Sequence, residues 1–199
     1  MSLHIGDIAP NFTADSTMGE IDLHKWAGDS WVFFFSHPAD FTPVCTTEMG
    51  RTAQLADEFD ARNTKSLGLS TDCVEDHWDW IYDVNSTQNT GVHFPILADT
   101  DRSIAKLYDM IHPGESSTEA VRSVFIIDPD KKIRVMMTYP MSIGRNFDEI
   151  LRVIDALQLS DAKQIATPAD WKPGDKVIIP PSIANDEAKK LFPQGWDEQ

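Results

Sequence analysis

The stretch Trp31-Val32-Phe33-Phe34-Phe35-Ser36-His37-Pro38-Ala39-Asp40-Phe41-Thr42-Pro43-Val44-Cys45 opens with six residues that are too few and too continuously apolar for an amphipathic helix. They read as a strand buried on both faces, the pattern of a parallel sheet. At the other end of the stretch, Thr42 followed by Pro43 is a helix-starting pair. Proline lacks an N–H that would be unpaired there in any case, and its φ is already helical. From Thr46 to Asn63 the apolar residues Met49, Ala53, Ala56 and Phe59 fall at helical spacing, and Lys65 to Ser70 is a second short strand. Strand, helix and strand within about 40 residues make a βαβ unit with a right-handed crossover.

The same reading extends in both directions. Asn11 to Trp26 alternates as a small hairpin about a turn at Thr17-Met18-Gly19, with Phe12 and Ala14 before it and Ile21 and Leu23 after it. Downstream, Val74 to Asn85 is a helix whose apolar face is read as Val74, Trp78, Ile81 and Tyr82, and Phe94 to Leu97 is a strand. Val121–Ile127 and Ile133–Thr138 are two strands joined by the turn Asp128-Pro129-Asp130-Lys131-Lys132. Asn146 and Glu149 have capping spacing ahead of a helix striped by Phe147, Ile150, Leu151, Ile154 and Leu157. The expected class is therefore α/β, a mixed central sheet flanked by helices, with an N-terminal hairpin and a C-terminal extension.

Residues 1–159 read as one domain and 160–199 as a proline-rich arm, because Pro168, Pro173, Pro180, Pro181 and Pro193 crowd into the end of the chain. The arm offers one helical turn, Glu187 to Phe192. Its apolar Ile178, Ile179, Ile183, Leu191, Phe192 and Trp196 call for cover, on their own domain or on a partner subunit.

Of 199 residues, 17 are basic and 32 acidic, a formal charge of −15, while 41% are apolar. That is enough apolar material for a core. The charge would be repelled by phosphate backbones and anionic lipid, so neither nucleic-acid binding nor constitutive membrane association is expected. No apolar run approaches the roughly 18 residues that span a bilayer. The first residues lack a basic and an apolar signal region, which makes the cytosol the expected address. Neither a Walker loop nor a G-x-G-x-x-G is present, and His4, His24, His77, His93 and His112 lack ligand spacing, so a metal site is not expected.

Two cysteines remain, Cys45 and Cys73, too few for a disulfide scaffold. With Thr42 as cap, Cys45 is the third residue of its helix, where unpaired N–H groups and the positive end of the dipole favour a thiolate. On spacing alone it is either a reactive nucleophile or a small packed residue. Asp72 and Glu75 have capping spacing that places Cys73 at the start of the next helix, where it is read as structural.

The string Pro38-x-x-x-Thr42-x-x-Cys45 resembles the active-site loop of the peroxiredoxins, P-x-x-x-T-x-x-C, and the wider run from Ser36 to Glu48 resembles their one-cysteine subfamily. The likeness continues through Gly68-Leu69-Ser70, Asp128 to Lys132, Gly144 to Arg152 and Thr167 to Lys172. It implies a thioredoxin-like fold and a thiol peroxidase that reduces hydrogen peroxide and organic hydroperoxides without metal, haem or flavin cofactor. In that reading Cys45 attacks the distal peroxide oxygen and becomes a sulfenic acid, which an external thiol reduces. Thr42 directs its hydroxyl to the peroxide or thiolate, Arg122 supplies a fixed cation, and Pro38 shields the sulfur from water. Glu48 orients Arg122, Arg145 is a second nearby cation, and His37 matches the subfamily's histidine with a softer case for a direct role. A homodimer, with higher rings possible, is the expected assembly.

Two alternatives stand beside it. Gly28-Asp29-Ser30-Trp31-Val32 resembles the lipase pattern G-x-S-x-G with valine for the last glycine, and a phospholipase-type hydrolase would pair Ser30 with His24 and Asp130. The other is a holdase or interaction protein whose thiol is incidental.

Overall fold

The computed structural model describes residues 3–191 and divides into two compact units between Phe147 and Asp148. That division falls earlier than the 159/160 boundary read from proline content. Phe192, Pro193 and Trp196 of the expected arm lie outside the described residues.

The first unit is built on a five-stranded sheet. Its strands are β3 (Trp31–Ser36), β4 (Thr64–Ser70), β5 (Ile96–Ala98), β6 (Arg122–Ile127) and β7 (Ile133–Tyr139), in the order β5-β4-β3-β6-β7. β3 pairs in parallel with β4 and β4 with β5, while β6 is antiparallel to both β3 and β7. The apolar run that reads as a two-faced strand is thus the central strand, and all six of its residues are buried. Side chains alternate across it with period 2. Phe33 stacks on Phe35 and on Phe59, with ring centroids 4.7 and 5.1 Å apart, and meets Phe147 edge-on. On the other face Phe34 lies 5.0 Å edge-on from Tyr108 and beside Phe125 and Phe12. Each such fully buried ring is worth about 2–3 kcal/mol of transfer free energy.

A two-stranded ribbon, β1 (Thr13–Ala14) and β2 (Ile21–Asp22), forms the N-terminal hairpin. Its second arm is shorter than the alternation suggested. Asp22 accepts a hydrogen bond from the Lys25 N–H and starts a helix, α1 (Leu23–Ala27), where the sequence reading continued the strand. The single helix expected from Thr46 to Asn63 is two, α2 (Pro43–Gln54) and α3 (Ala56–Asp60), broken at Leu55. An unexpected short helix, α5 (Ser103–Leu107), follows β5; Asp99 accepts from the N–H groups of Ile104 and Ala105 and ties its first turn to the sheet.

The helix α4 (Val74–Thr87) forms where expected, but its inward face is wrong in the sequence reading. Trp78 and Tyr82 are exposed, and His77, Trp80, Ile81 and Val84 are buried in their place. This second set has the i, i+3, i+4, i+7 spacing of one helix face. His77 can occupy it because its ring nitrogens lie within hydrogen-bond distance of the Asp40 carboxylate and the Leu97 carbonyl, 2.6 and 3.1 Å away.

The second unit contains α6 (Phe147–Lys163), entered from the first unit at Phe147, and α7 (Asn185–Leu191). Ile150 and Ile154 of the expected stripe are fully buried. Between the helices an antiparallel bridge joins Ala166 to Ile178, and the Trp171 indole donates to the Asp175 carbonyl.

Gly50 marks the tightest approach of α2 to the end of α4. A Cβ there would lie 2.6 Å from the Cβ and 2.5 Å from the Cγ of Gln88, closer than carbon atoms pack. Alanine gains about 1 kcal/mol of helix propensity over glycine, yet overpacking costs typically 1–3 kcal/mol. Gly50→Ala is therefore expected to lose stability, by about 1 kcal/mol, in urea unfolding; a stability gain would show that the helices can part freely.

Candidate active site

At the carboxyl end of β3 the chain leaves the sheet through residues 37–42 and enters α2 at Pro43. Thr42 has the extended backbone of an N-cap (φ −100°, ψ 144°), so Cys45 is the third residue of the helix, as expected. The residue before the cap is less ordinary. Phe41 adopts φ 57°, the left-handed region, with its ring exposed. A bulky side chain held there costs on the order of 1–2 kcal/mol and persists only where its surroundings impose it.

Asp40 does the imposing. Its Oδ1 accepts from His37 Nε2 at 2.7 Å and its Oδ2 from His77 Nδ1 at 2.6 Å, all three groups being buried. Its own N–H donates to Asp72 Oδ2 at 3.0 Å, which also accepts from the Ser70 hydroxyl. Burial alone would raise the Asp40 pKa, but the hydrogen bonds and charges of the two histidines outweigh it and hold the carboxyl at about 2. For His37, burial dominates and moves the pKa down despite Asp40. Its Nε2 bonds Asp40, and its Nδ1 is buried without a partner among the described residues. The oxygens of Asp40 and Asp72 that approach His37 could also face a cation, but they are already engaged by these N–H and O–H donors.

On the opposite side of the loop lies a cationic cluster. Cys45 is 1% exposed, and its Sγ accepts from Arg122 Nη1 at 3.3 Å. The same Nη1 donates to Glu48 Oε2 at 2.8 Å, and Nε and Nη2 both donate to the Met141 carbonyl, at 2.9 and 2.6 Å. Glu48 stands on α2 three residues beyond Cys45 and accepts three further bonds from Arg145, from its N–H, Nε and Nη2 at 2.7, 3.0 and 2.6 Å. Arg145 Nη1 donates to the carbonyls of Ser36 and Ser123, and its guanidinium lies 4.9 Å over the Phe35 ring. Burial pushes Glu48 toward the acid form, but the Arg145 charge and hydrogen bonds, with the Arg122 charge, outweigh it and hold the pKa below the usual range. Two buried guanidinium groups against one carboxylate leave one positive charge beside the sulfur.

A cavity of about 220 Å³ adjoins this cluster, lined by Pro38, Ala39, Thr42, Pro43, Val44, Glu119, Arg122 and Met141. The structure brings Pro38, Thr42, Cys45, Glu48, Arg122 and Arg145 into one neighbourhood, with Glu48 accepting from Arg122 Nη1. Thr42 departs in detail: its hydroxyl donates to the Ala39 carbonyl at 2.9 Å, inside its own loop. His37 does not contact Cys45 through any described hydrogen bond; it belongs to the Asp40 network. Asp40, His77 and the Met141 carbonyl were not singled out from the sequence. The signal for Asp40 was an acid within an otherwise uncharged loop, and that for His77 the 77-80-81-84 spacing.

Cys73, not Asp72, is the residue preceding α4, and its Sγ donates to Asp76 Oδ2 at 3.2 Å. The Asp76 N–H favours the thiolate, but its carboxylate, burial and Glu75 together outweigh it and move the thiol pKa up. That suits a protonated, unreactive thiol. The hydrolase arrangement is not assembled. Ser30 donates to Asn63 Oδ1, His24 Nε2 donates to the Ala9 carbonyl, and Asp130, largely exposed, pairs with Lys132. Ser30 also precedes a strand, where a nucleophile elbow needs a helix after it.

Residues 5–136 match the AhpC/TSA family, and residues 156–195 match the C-terminal domain of 1-Cys peroxiredoxin. The chain is 54% identical to the 1-Cys peroxiredoxin of Dictyostelium discoideum over 194 residues, covering 98% of this chain and 80% of that one. It is 51% identical to Peroxiredoxin-6 of Gallus gallus, covering 97% and 90%. Among solved structures, a cysteine-to-serine mutant of the Peroxiredoxin 6 of Arenicola marina superposes with a TM-score of 0.92 at 47% identity, covering 96% of this chain and 90% of that one. The yeast mitochondrial 1-Cys peroxiredoxin, described with a thiol resolving mechanism via glutathione/thioredoxin systems, superposes with a TM-score of 0.90 at 53% identity, covering 96% and 92%. The sheet and helices around the Cys45 loop are accordingly those of the thioredoxin-like fold, and the chain belongs to the peroxiredoxin family, in its one-cysteine branch, as a thiol-dependent peroxidase.

Proposed function

We propose that Cys45 is the peroxidatic group, Arg122 its fixed cation, Glu48 and Arg145 the frame that orients Arg122, and Thr42 and Pro38 the wall that presents the peroxide. The single observation that carries this reading is the 3.3 Å hydrogen bond from Arg122 Nη1 to Cys45 Sγ, made by a guanidinium locked at its other nitrogens. In the reaction the thiolate sulfur attacks the distal oxygen of a hydroperoxide. The S–O bond forms as the O–O bond breaks, and the electron pair of the broken bond leaves on the proximal oxygen, which takes a proton and departs as alcohol or water. Arg122 donates hydrogen bonds to the oxygens as charge develops. The Thr42 hydroxyl reaches the peroxide by exchanging its bond to Ala39 for one to the incoming oxygen. Two equivalents of an external thiol then return the sulfenic acid to thiol, giving water and a disulfide.

An external reductant fits Cys73, whose thiol is held protonated by its acidic neighbours. Two free cysteines fit a reducing compartment such as the cytosol, whereas the yeast relative is described as mitochondrial. No helix among the described residues is long and apolar enough to cross a membrane. A homodimer, and higher rings built from it, is favoured by the edge strand β7, to which no further strand is paired beyond Ile133 among the described residues, and by exposed Phe41, Trp78 and Tyr82.

Five outcomes check these readings. Cys45→Ser is expected to abolish peroxide consumption. One equivalent of peroxide should add about 16 mass units to the wild type by intact-mass analysis, as a sulfenic acid requires, without the two-unit loss of a Cys45–Cys73 disulfide. Arg122→Lys should slow the reaction with peroxide by about 10²-fold or more, because an ammonium cannot hold Met141, Glu48 and the sulfur together; an unchanged rate would make Arg122 merely structural. Asp40→Asn should lower stability at pH 7 by roughly 2 kcal/mol, the equivalent of moving a carboxyl from 3.8 to about 2. Because a depressed folded-state pKa stabilises above the unfolded value, that difference from wild type should shrink as pH falls from about 4 toward 2 in urea titrations. A gap constant over this window would contradict the Asp40 clamp. Light scattering at micromolar concentration should give at least twice the monomer mass of 22.3 kDa, and a monomer would exclude the dimer.

A further inference from the structure

One acidic residue lining the cavity, Glu119, is not used by the chemistry above. Glu119 lines the cavity beside Arg122, three residues ahead of it in the segment that enters β6. Its backbone is fixed, with its N–H donating to Ser116 Oγ at 3.0 Å and Ser116 N–H donating to the His112 carbonyl. Val121 N–H, two residues on, donates to the Met110 carbonyl at 2.8 Å. The Glu119 carboxylate itself has no hydrogen-bond or ion-pair partner among the described residues, so its charge is not cancelled by a neighbour.

Around the cavity the charges sum simply. Arg122 and Arg145 contribute two positive charges, Glu48 one negative, and a Cys45 thiolate a second negative. The buried cluster is then neutral in its reactive state, with no cation left to receive a substrate's anionic group. Glu119 adds one negative charge at the wall, on a chain whose formal charge is already −15. An anionic hydroperoxide would approach both unfavourably, and a neutral one would not.

We propose that Glu119 is a specificity-determining residue that biases this peroxidase toward neutral hydroperoxides and against those carrying a carboxylate. The proposal rests on the peroxidatic reading of Cys45. Uncharged substrates, hydrogen peroxide and short alkyl hydroperoxides, meet only the apolar side chains of Pro38, Ala39, Pro43 and Val44 and the donors that the oxygens need. A substrate with a carboxylate close to its hydroperoxide group places that charge against Glu119.

The experiment compares a short-chain hydroperoxy acid with its methyl ester, which differ in charge at nearly constant size. The second-order rate of Cys45 oxidation is followed by stopped-flow tryptophan fluorescence and intact mass in the full-length protein, at low and high salt. Wild type is expected to favour the ester. Glu119→Gln should raise the acid-to-ester rate ratio about three- to tenfold, the effect of one unit charge at the edge of a solvated pocket. Glu119→Lys should raise the ratio further, and added salt should shrink the difference among the three proteins. A ratio that is the same in all three would overturn the proposal while leaving the peroxidase reading intact, because the ester would still oxidise Cys45. Failure of both substrates to oxidise Cys45 in the wild type would overturn the two together.

Discussion

Glu48 is the point on which the site hangs. One carboxylate, buried on α2, accepts three hydrogen bonds from two guanidinium groups, on β6 and on the turn ahead of α6, and a fourth from the Arg145 backbone N–H. Taking these ions out of water is expensive, and only near-complete hydrogen bonding makes the cluster tolerable. That requirement is met. Arg145 uses its remaining donors on the carbonyls of Ser36 and Ser123, and Arg122 spends two on Met141. Removing one partner of such a group costs about 3–5 kcal/mol because the others are left charged and unpaired. The geometry around Cys45 is therefore held by the cost of every alternative, not by the strength of one bond.

A second buried cluster holds the other end of the loop, and it works by a different balance. Here one carboxylate, Asp40, is bonded to two imidazoles through both of its oxygens, in the loop that keeps Phe41 in the left-handed region. Phe41 must turn there for Thr42 to begin a helix directed away from the end of β3. The strain at Phe41 and the cap at Thr42 are consecutive links, and Asp40 anchors both through its backbone bond to Asp72. Acid weakens this anchor from two directions. Below about 6.5 the unfolded chain gains a proton that buried His37 resists, and between about 4 and 2 Asp40 itself is protonated.

Local grammar was enough to read the sheet's centre, the cap at Thr42, the position of Cys45 and the β6–β7 hairpin, because each depends on neighbours in sequence. The Asp128-Pro129-Asp130-Lys131-Lys132 turn shows the point, closing through Asp128 and Lys132 with Lys131 at φ 67°. Grouping Arg122, Glu48 and Arg145 needed the family likeness, since no spacing relates residues so far apart. Two things were beyond either route. The inward face of α4 was misread because hydrophobicity ranks Trp78 and Tyr82 above His77, while the fold ranks by satisfied hydrogen bonds and gives the core position to the histidine that Asp40 and Leu97 can pair. The Met141 carbonyl was invisible for a simpler reason: every residue has one, and only tertiary structure decides which carbonyl meets a guanidinium.

Two glutamates, one bonded to Arg122 and one lining the adjoining cavity, illustrate how environment assigns roles to a single side-chain type. Glu48 is surrounded by more positive charge than it can cancel, so it serves as a frame whose own charge is consumed. Glu119 has no such neighbour and keeps its field for whatever enters the cavity. The same division explains why the surplus of the buried cluster matters. Had Glu48 been matched by one arginine, a thiolate at Cys45 would add an unbalanced anion to a buried site; with two, it completes the neutral set. Stabilising the sulfur's charge and discriminating among approaching charges are then performed by different groups, so altering the wall can change which peroxides react without dismantling the cluster that makes reaction possible.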